Sequence, residues 1–165
     1  MAQTANSSLI YESAEPVRSR CIADLRDYWQ SKLLGRTMPH PEDIDLKELE
    51  ALLPGLIIAE YVGAAARVRF RLVGSTHVHY NASDFTGRYL DEMGWTEAPF
   101  IAEVHETLRR TRMPVYGWYE WDFRDHLAGY SEFGFFPLSR DGTSVSESIG
   151  FDDCSEFEQI LDRAR

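Results

Sequence analysis

Basic residues are scarce in this chain. Lysine and arginine number 17 against 27 aspartates and glutamates, a formal net charge of −10 over 165 residues. A protein that grips nucleic acid needs a basic surface for the phosphates, and an anionic membrane surface asks for the same. Neither is expected as a partner. Long apolar runs are missing too, and none approaches the roughly 18–20 residues of a membrane span. The N-terminus has no charged start followed by an apolar stretch, so no secretory leader is expected and the cytoplasm is the expected compartment. Cysteine is limited to Cys21 and Cys154. One falls on an expected helix and the other in a polar C-terminal segment, which reads as two free thiols in a reducing compartment. His77 and His79 form His-x-His, but on a helix they point apart, and no Cys or further His nearby completes a zinc set. No repeat and no catalytic signature stands out, so neither a metal nor an enzyme is expected.

What is present is ordinary apolar content with many aromatics, 13% of residues, concentrated between Tyr116 and Phe136. A chain of this length makes one domain and buries a core without disulfides. Residues 1–16 are small and polar and read as a flexible arm. Val17 to Leu34 reads as an amphipathic helix, with Ile22, Leu25, Trp29 and Leu33 at three- and four-residue spacing. A short helix is expected from Asp45, capped through Glu48 and stopped by Pro54-Gly55. Residues 17–55 thus form a helical extension.

The core is expected over residues 56–152, with a tail at 153–165 that holds a short helix. Leu56 to Val62 is a nearly continuous apolar strand. Val68, Phe70 and Leu72 alternate with arginines in the next strand, and the two form a hairpin. Gly74 ends that strand, and short helical pieces and bends run on to Leu90. Thr96 to Arg112 is a longer helix with Phe100, Ile101, Val104 and Leu108 on one side. Three strands finish the domain: one around Val115–Asp122, then Tyr130–Leu138 and Thr143–Phe151. Arg124–Gly129 is the first connecting loop, and Asp141-Gly142 marks a tight second hairpin.

The order of elements, together with local wording, resembles the PAS domain family, in particular small stand-alone bacterial members found largely in alphaproteobacteria. The matching pieces are Tyr28-Trp29, Leu52-Leu53-Pro54, Phe70-Arg71-Leu72-Val73-Gly74-Ser75, Asp84-Phe85-Thr86-Gly87-Arg88, and Phe136-Pro137-Leu138-Ser139-Arg140-Asp141-Gly142. Ala82-Ser83 departs from the pattern, where a glycine is expected. The resemblance implies an α+β fold, a five-stranded antiparallel sheet of order 2-1-5-4-3 with helices on one face. It also implies a sensory or regulatory module that binds a small molecule, dimerises, and signals through a protein partner. It transfers no catalytic residue.

Within that frame the expected ligand pocket takes Phe70, Leu72, His77, Tyr80, Val104, His105, Leu108, Glu132, Phe136, Glu147 and Ile149. With Asp141-Gly142 as a two-residue turn, Leu138 faces Val145, Phe136 faces Glu147 and Glu132 faces Phe151. Two carboxylates then sit on an apolar face and need a partner, from Arg69, Arg71, His77 or a ligand. A one-residue slip would reverse every side chain. His105 lies where haem-binding PAS domains place their axial ligand, but about 85° from the centre of its helix's apolar stripe. It therefore reads as a histidine on the core's flank, and no cofactor is required. A flavin photosensor would need a cysteine among the short helices, and there is none. Aromatics on both faces of the late strands suggest a homodimer, with Ile22, Leu25, Trp29, Leu33 and Trp118 in the contact. The alternatives are a ligand-free interaction adaptor and a small α+β-barrel hydrolase or isomerase using glutamates and His105 as acid and base. The barrel would place its long helices before its strands; here two strands come first.

Overall fold

The structure, a computed structural model, describes residues 7–123 and 127–165. Among the described residues six antiparallel strands form one sheet: β1 (Ser8–Ile10), β2 (Leu56–Val62), β3 (Arg67–Val73), β4 (Val115–Phe123), β5 (Leu127–Leu138) and β6 (Glu147–Asp153). Their spatial order is β1-β4-β5-β6-β2-β3. Without β1 this is the 2-1-5-4-3 order in chain sequence. The helices are α1 (Arg20–Ser31), α2 (Ser75–Asn81), α3 (Ala98–Thr111) and α4 (Ser155–Ala164). The Arg124–Gly129 loop falls partly outside the described residues, and Leu127–Gly129 already belong to β5.

Both faces of the sheet are covered, not one. On one face α1 buries Ile22, Leu25 and Trp29 against Leu56, Ile58, Phe136, Leu138 and Ile149. Ser19 caps α1 through its hydroxyl, which accepts from the Ile22 amide, and Trp29 Nε1 donates to the Pro137 carbonyl at 2.9 Å. Gly134 allows the close approach, because a Cβ there would press on Ile22. Full burial of Ile22 and Leu25 contributes about 1.5–3 kcal/mol each. On the other face α2, α3 and α4 cover Phe70, Tyr119, Trp121, Phe133 and Phe135.

The N-terminal helix thus packs on its own sheet, which withdraws Ile22, Leu25 and Trp29 from the expected dimer contact. Ile22, Leu25 and Trp29 are filled by the chain's own sheet, and Leu33 packs at the edge of the same cluster. Trp118 stays half-buried and meets Tyr130 edge-on, 5.4 Å between ring centres. Helical periodicity marks an apolar stripe but not which copy of the sheet covers it.

Three local expectations change as well. Residues 7–11 do not form a free arm: β1 pairs with β4, and the Tyr11 and Glu120 amides donate to the Tyr116 and Ser7 carbonyls at 2.8 Å each. Three residues held through backbone bonds leave no period in the sequence. No α-helix starts at Asp45; turns lead into a 3-10 helix over Glu50–Gly55. The segment is too short to nucleate, and Pro54 lies within it. Glu48 pairs with Lys32 at 2.8 Å instead of capping. Finally, Asp141-Gly142 is not a two-residue turn. Leu138 pairs with Glu147, Phe136 with Ile149 and Glu132 with Asp153, closing a longer loop. The Asp141 carboxylate holds that loop by accepting from the Ser144 hydroxyl and from the Ser144 and Thr143 amides, bonds that draw its pKa well below the usual range. The register differs by two residues, so each side chain keeps its face. At Ala82, where a glycine was expected, the backbone is left-handed, φ 54°, which explains why glycine suits that position.

Candidate functional site

Alternation along β4, β5 and β6 places Tyr119, Trp121, Phe133, Phe135 and Asp152 on the face beneath α3. With Ile57, Phe70, His77, Phe85, Trp95, Glu97, Phe100, Val104 and His105, these line a cavity of about 40 Å³. That is room for about three heavy atoms. The lining residues that keep some exposure are Asn81, Trp95, Glu97, Phe100 and Ile101. They cluster at the end of α2 and the start of α3, which is where the cavity meets solvent.

The walls are mostly aromatic, and the polar groups on them are few. His77 is buried and its Nε2–H donates to the Gly55 carbonyl at 2.9 Å; burial lowers its pKa. His105 is 1% exposed, with the Phe135 ring 4.9 Å and the Tyr61 ring 5.7 Å away, centre to centre. Those two rings bury what the helical stripe alone leaves at the core's flank. Tyr61 Oη donates to Ser148 Oγ at 3.1 Å and lies 2.8 Å from His105 Nδ1. When the phenol proton goes to Ser148, Nδ1 carries the imidazole proton and donates to the phenol oxygen. Nε2 is then a bare acceptor, and it is buried with no partner. Burial holds the ring neutral, its pKa lowered to about 4.

Asp152 is the second anchor. Tyr119 Oη donates to its Oδ2 at 2.6 Å, while Oδ1 is buried and unpartnered. Burial first, then the nearby Asp153 and Glu97, push its pKa up to about 7, against the Tyr119 hydrogen bond that lowers it. Glu97 is also raised, by its own partial burial. Beneath these groups Trp121 Nε1 donates to Ser131 Oγ at 2.8 Å, and Ser131 lies 3.5 Å from Cys154 Sγ. Among the described residues, His105 Nε2 and Asp152 Oδ1 are the only buried side-chain polar atoms without a hydrogen-bond partner. Both belong to residues of this cavity.

Of the residues expected to form the pocket, Phe70, His77, Val104 and His105 line the cavity. Tyr80 and Leu108 lie in the same core without reaching it. Phe136 and Ile149 lie under α1 on the opposite face, with Leu72 at the edge of that cluster. Glu147 is also buried away from the cavity, bound to Arg71 at 2.9 Å and Arg140 at 2.7 Å. Glu132 accepts from the Arg18 and Ser19 amides at 2.9 and 2.7 Å and from Tyr11 Oη at 3.0 Å. Its carboxylate ties the N-terminal segment to the sheet. Asp152, Tyr119, Trp121 and Glu97 were missed. The one available signal for Asp152 was its alternation with Gly150 along β6, which sets both on the face that Ile149 and Phe151 avoid.

Neither haem nor flavin fits these residues. The cavity that His105 helps to line has a volume of about 40 Å³, far too small for either group, and neither Cys21 nor Cys154 lines it. Among the described residues no His, Cys, Asp and Glu cluster could hold a metal ion, and no helix is long and apolar enough to cross a membrane.

A family model described as a PAS domain matches residues 17–151. No curated protein matches. Among solved structures, an RNA-binding light-oxygen-voltage receptor superposes with a TM-score of 0.52 at 15% identity, over 96% of this chain and 42% of that one. A light-oxygen-voltage domain studied with a flavin analogue gives 0.51 at 11% identity, over 73% and 95%. Vibrio cholera VqmA in a ligand–DNA complex gives 0.50 at 17% identity, over 75% of this chain and 59% of VqmA. At such identities the likeness is one of fold.

Proposed function

The chain belongs to the PAS domain family, and from that premise we propose that it is a non-enzymatic sensory module that binds a small molecule in the cavity under α3. Binding there alters the packing of α3 and the strands beneath it, and a protein partner reads the change. The net charge of −10 directs the output toward a protein and away from nucleic acid. One observation carries the reading. Leaving a buried polar group unpaired costs about 1–3 kcal/mol, yet two such atoms, His105 Nε2 and Asp152 Oδ1, belong to the walls of one aromatic cavity. A ligand with hydrogen-bond donors removes both penalties at once. A module kept as an adaptor alone is the second reading. The small volume of the cavity favours it, because the family's pocket is largely filled here by the chain's own rings.

A thermal-shift screen of small metabolites against the native protein and Val104→Leu separates the two. The added methylene fills much of the space. Compounds that raise the melting temperature of the native chain and not of the variant support the sensor. A screen in which no compound distinguishes them supports the adaptor.

A further inference from the structure

The chemistry of the cavity walls narrows the ligand, on the premise that the cavity is a ligand site. Its ionisable lining residues are Glu97, Asp152, Tyr119 and the two histidines, with no lysine or arginine among them. An anionic ligand would meet two carboxyl groups and no counter-charge. A neutral apolar ligand would leave His105 Nε2 and Asp152 Oδ1 as bare as before. The remaining walls present the ring faces and edges of Trp95, Phe100, Tyr119, Trp121, Phe133 and Phe135, which attract positive charge.

We propose that the ligand is a small organic cation, a short alkylammonium of about three heavy atoms. Asp152 Oδ1 carries its charge, His105 Nε2 is a second acceptor, and the aromatic walls pack on its carbons. An ammonium group has three N–H donors and no acceptor, enough for both open atoms. Tyr119, by donating to the other Asp152 oxygen at 2.6 Å, fixes the carboxylate so that Oδ1 is the atom left for the ligand.

The test is a nuclear magnetic resonance titration of the full-length ¹⁵N-labelled chain in ~0.15 M salt, which screens binding to the acidic surface. The probes are methylammonium, ethylammonium and n-butylammonium chloride, with ethanol and sodium acetate as neutral and anionic counterparts. Ethylammonium is expected to shift the Asp152 and Tyr119 amides and the Trp121 indole signal with an affinity of about millimolar, near the ceiling for so few atoms. Butylammonium should bind at least tenfold more weakly. The ionisable groups that line the cavity with Asp152 are Tyr119 on β4, Glu97 just before α3, His77 on α2 and His105 on α3, and Asp153 and Cys154 follow it in the chain. Of these, His105 is already neutral above about pH 4. A proton therefore competes with the ligand mainly at Asp152, whose pKa lies at about 7, and binding should weaken about tenfold from pH 8 to pH 6.

Asp152→Asn keeps the shape and the Tyr119 bond and should lose at least tenfold in ethylammonium affinity while the chain stays folded. Equal binding to the native chain and the variant would overturn the proposal. So would binding of ethanol or acetate at the same signals with none by the ammonium ions, though the cavity would then stand as a site for another ligand class. If no probe moves those signals and no metabolite of the thermal-shift screen distinguishes the native chain from Val104→Leu, the sensor reading fails together with this one.

Discussion

Asp152 offers the sharpest test of the site's energetics. In water its carboxyl would ionise near 3.8, and in the folded chain it does so at about 7, chiefly through burial. The unfolded chain gives up this proton near pH 4 while the native state keeps it to about pH 7. Native stability from this group is therefore whole below pH 4 and is lost as pH rises toward 7. At about 1.4 kcal/mol per unit, an ionised Asp152 costs the native state about 4 kcal/mol, and relaxation around the charge brings this to about 2–4 kcal/mol. Asn at 152 has nearly the same shape, still accepts from Tyr119, and has no charge to bury. The Asp152→Asn chain should accordingly be about 1 kcal/mol more stable than the native one at pH 4.5 and about 2–4 kcal/mol more stable at pH 8. His105 runs the other way: its pKa falls from 6.5 to about 4 through burial, so stability drops as pH falls below 6.5. That contribution is common to both proteins and cancels in their difference. Urea unfolding followed by tryptophan fluorescence at the two pH values, with matched m-values, reads the difference directly. A gain of under about 1 kcal/mol at pH 8, or one of the same size at both pH values, would refute the account of a carboxylate left unpaired for a ligand.

Three further outcomes are expected. Glu147→Gln removes the buried partner of Arg71 and Arg140, both of which can return to water, so urea unfolding should show a loss of about 1–3 kcal/mol. Gly117→Ala sets a methyl group against the Leu9 carbonyl and the Phe133 ring; hydrogen exchange at the Tyr11 and Glu120 amides should quicken as β1 detaches, while the β5–β6 amides keep their protection. Cys154 is buried with its thiol pKa pushed well up, so a thiol reagent should modify the half-buried Cys21 first and reach Cys154 at the rate of unfolding.

The fold was legible where a pattern has one solution. The unbroken apolar run of β2, the Arg-alternating β3 and the four apolar positions of α3 each fix an element, and the order of elements fixes the sheet. The site was less legible, for a physical reason. Period-2 alternation separates the two faces of a strand but does not say which helix covers which. Here both faces are aromatic, with Phe133 and Phe135 on one and Tyr116 and Phe136 on the other. The glutamates drew attention to the face under α1, where Glu147 proves to be a paired structural carboxylate and Glu132 a tether for the N-terminal segment. The carboxylate that lines the cavity, Asp152, was hidden as one of two adjacent aspartates at a strand's end. His105 was placed on the correct helix but judged too far round it, because the angle within a helix takes no account of the Tyr61 and Phe135 rings that close over its flank.

Native mass spectrometry of the protein purified from its own host, repeated after denaturation, addresses the central claim most directly. With ethylammonium added at millimolar concentration, matching the expected affinity, the account predicts a small adduct on the native chain that is lost on denaturation and is absent from Val104→Leu. A native chain at its bare mass, with no adduct at any loading and no compound able to restore one, would contradict it.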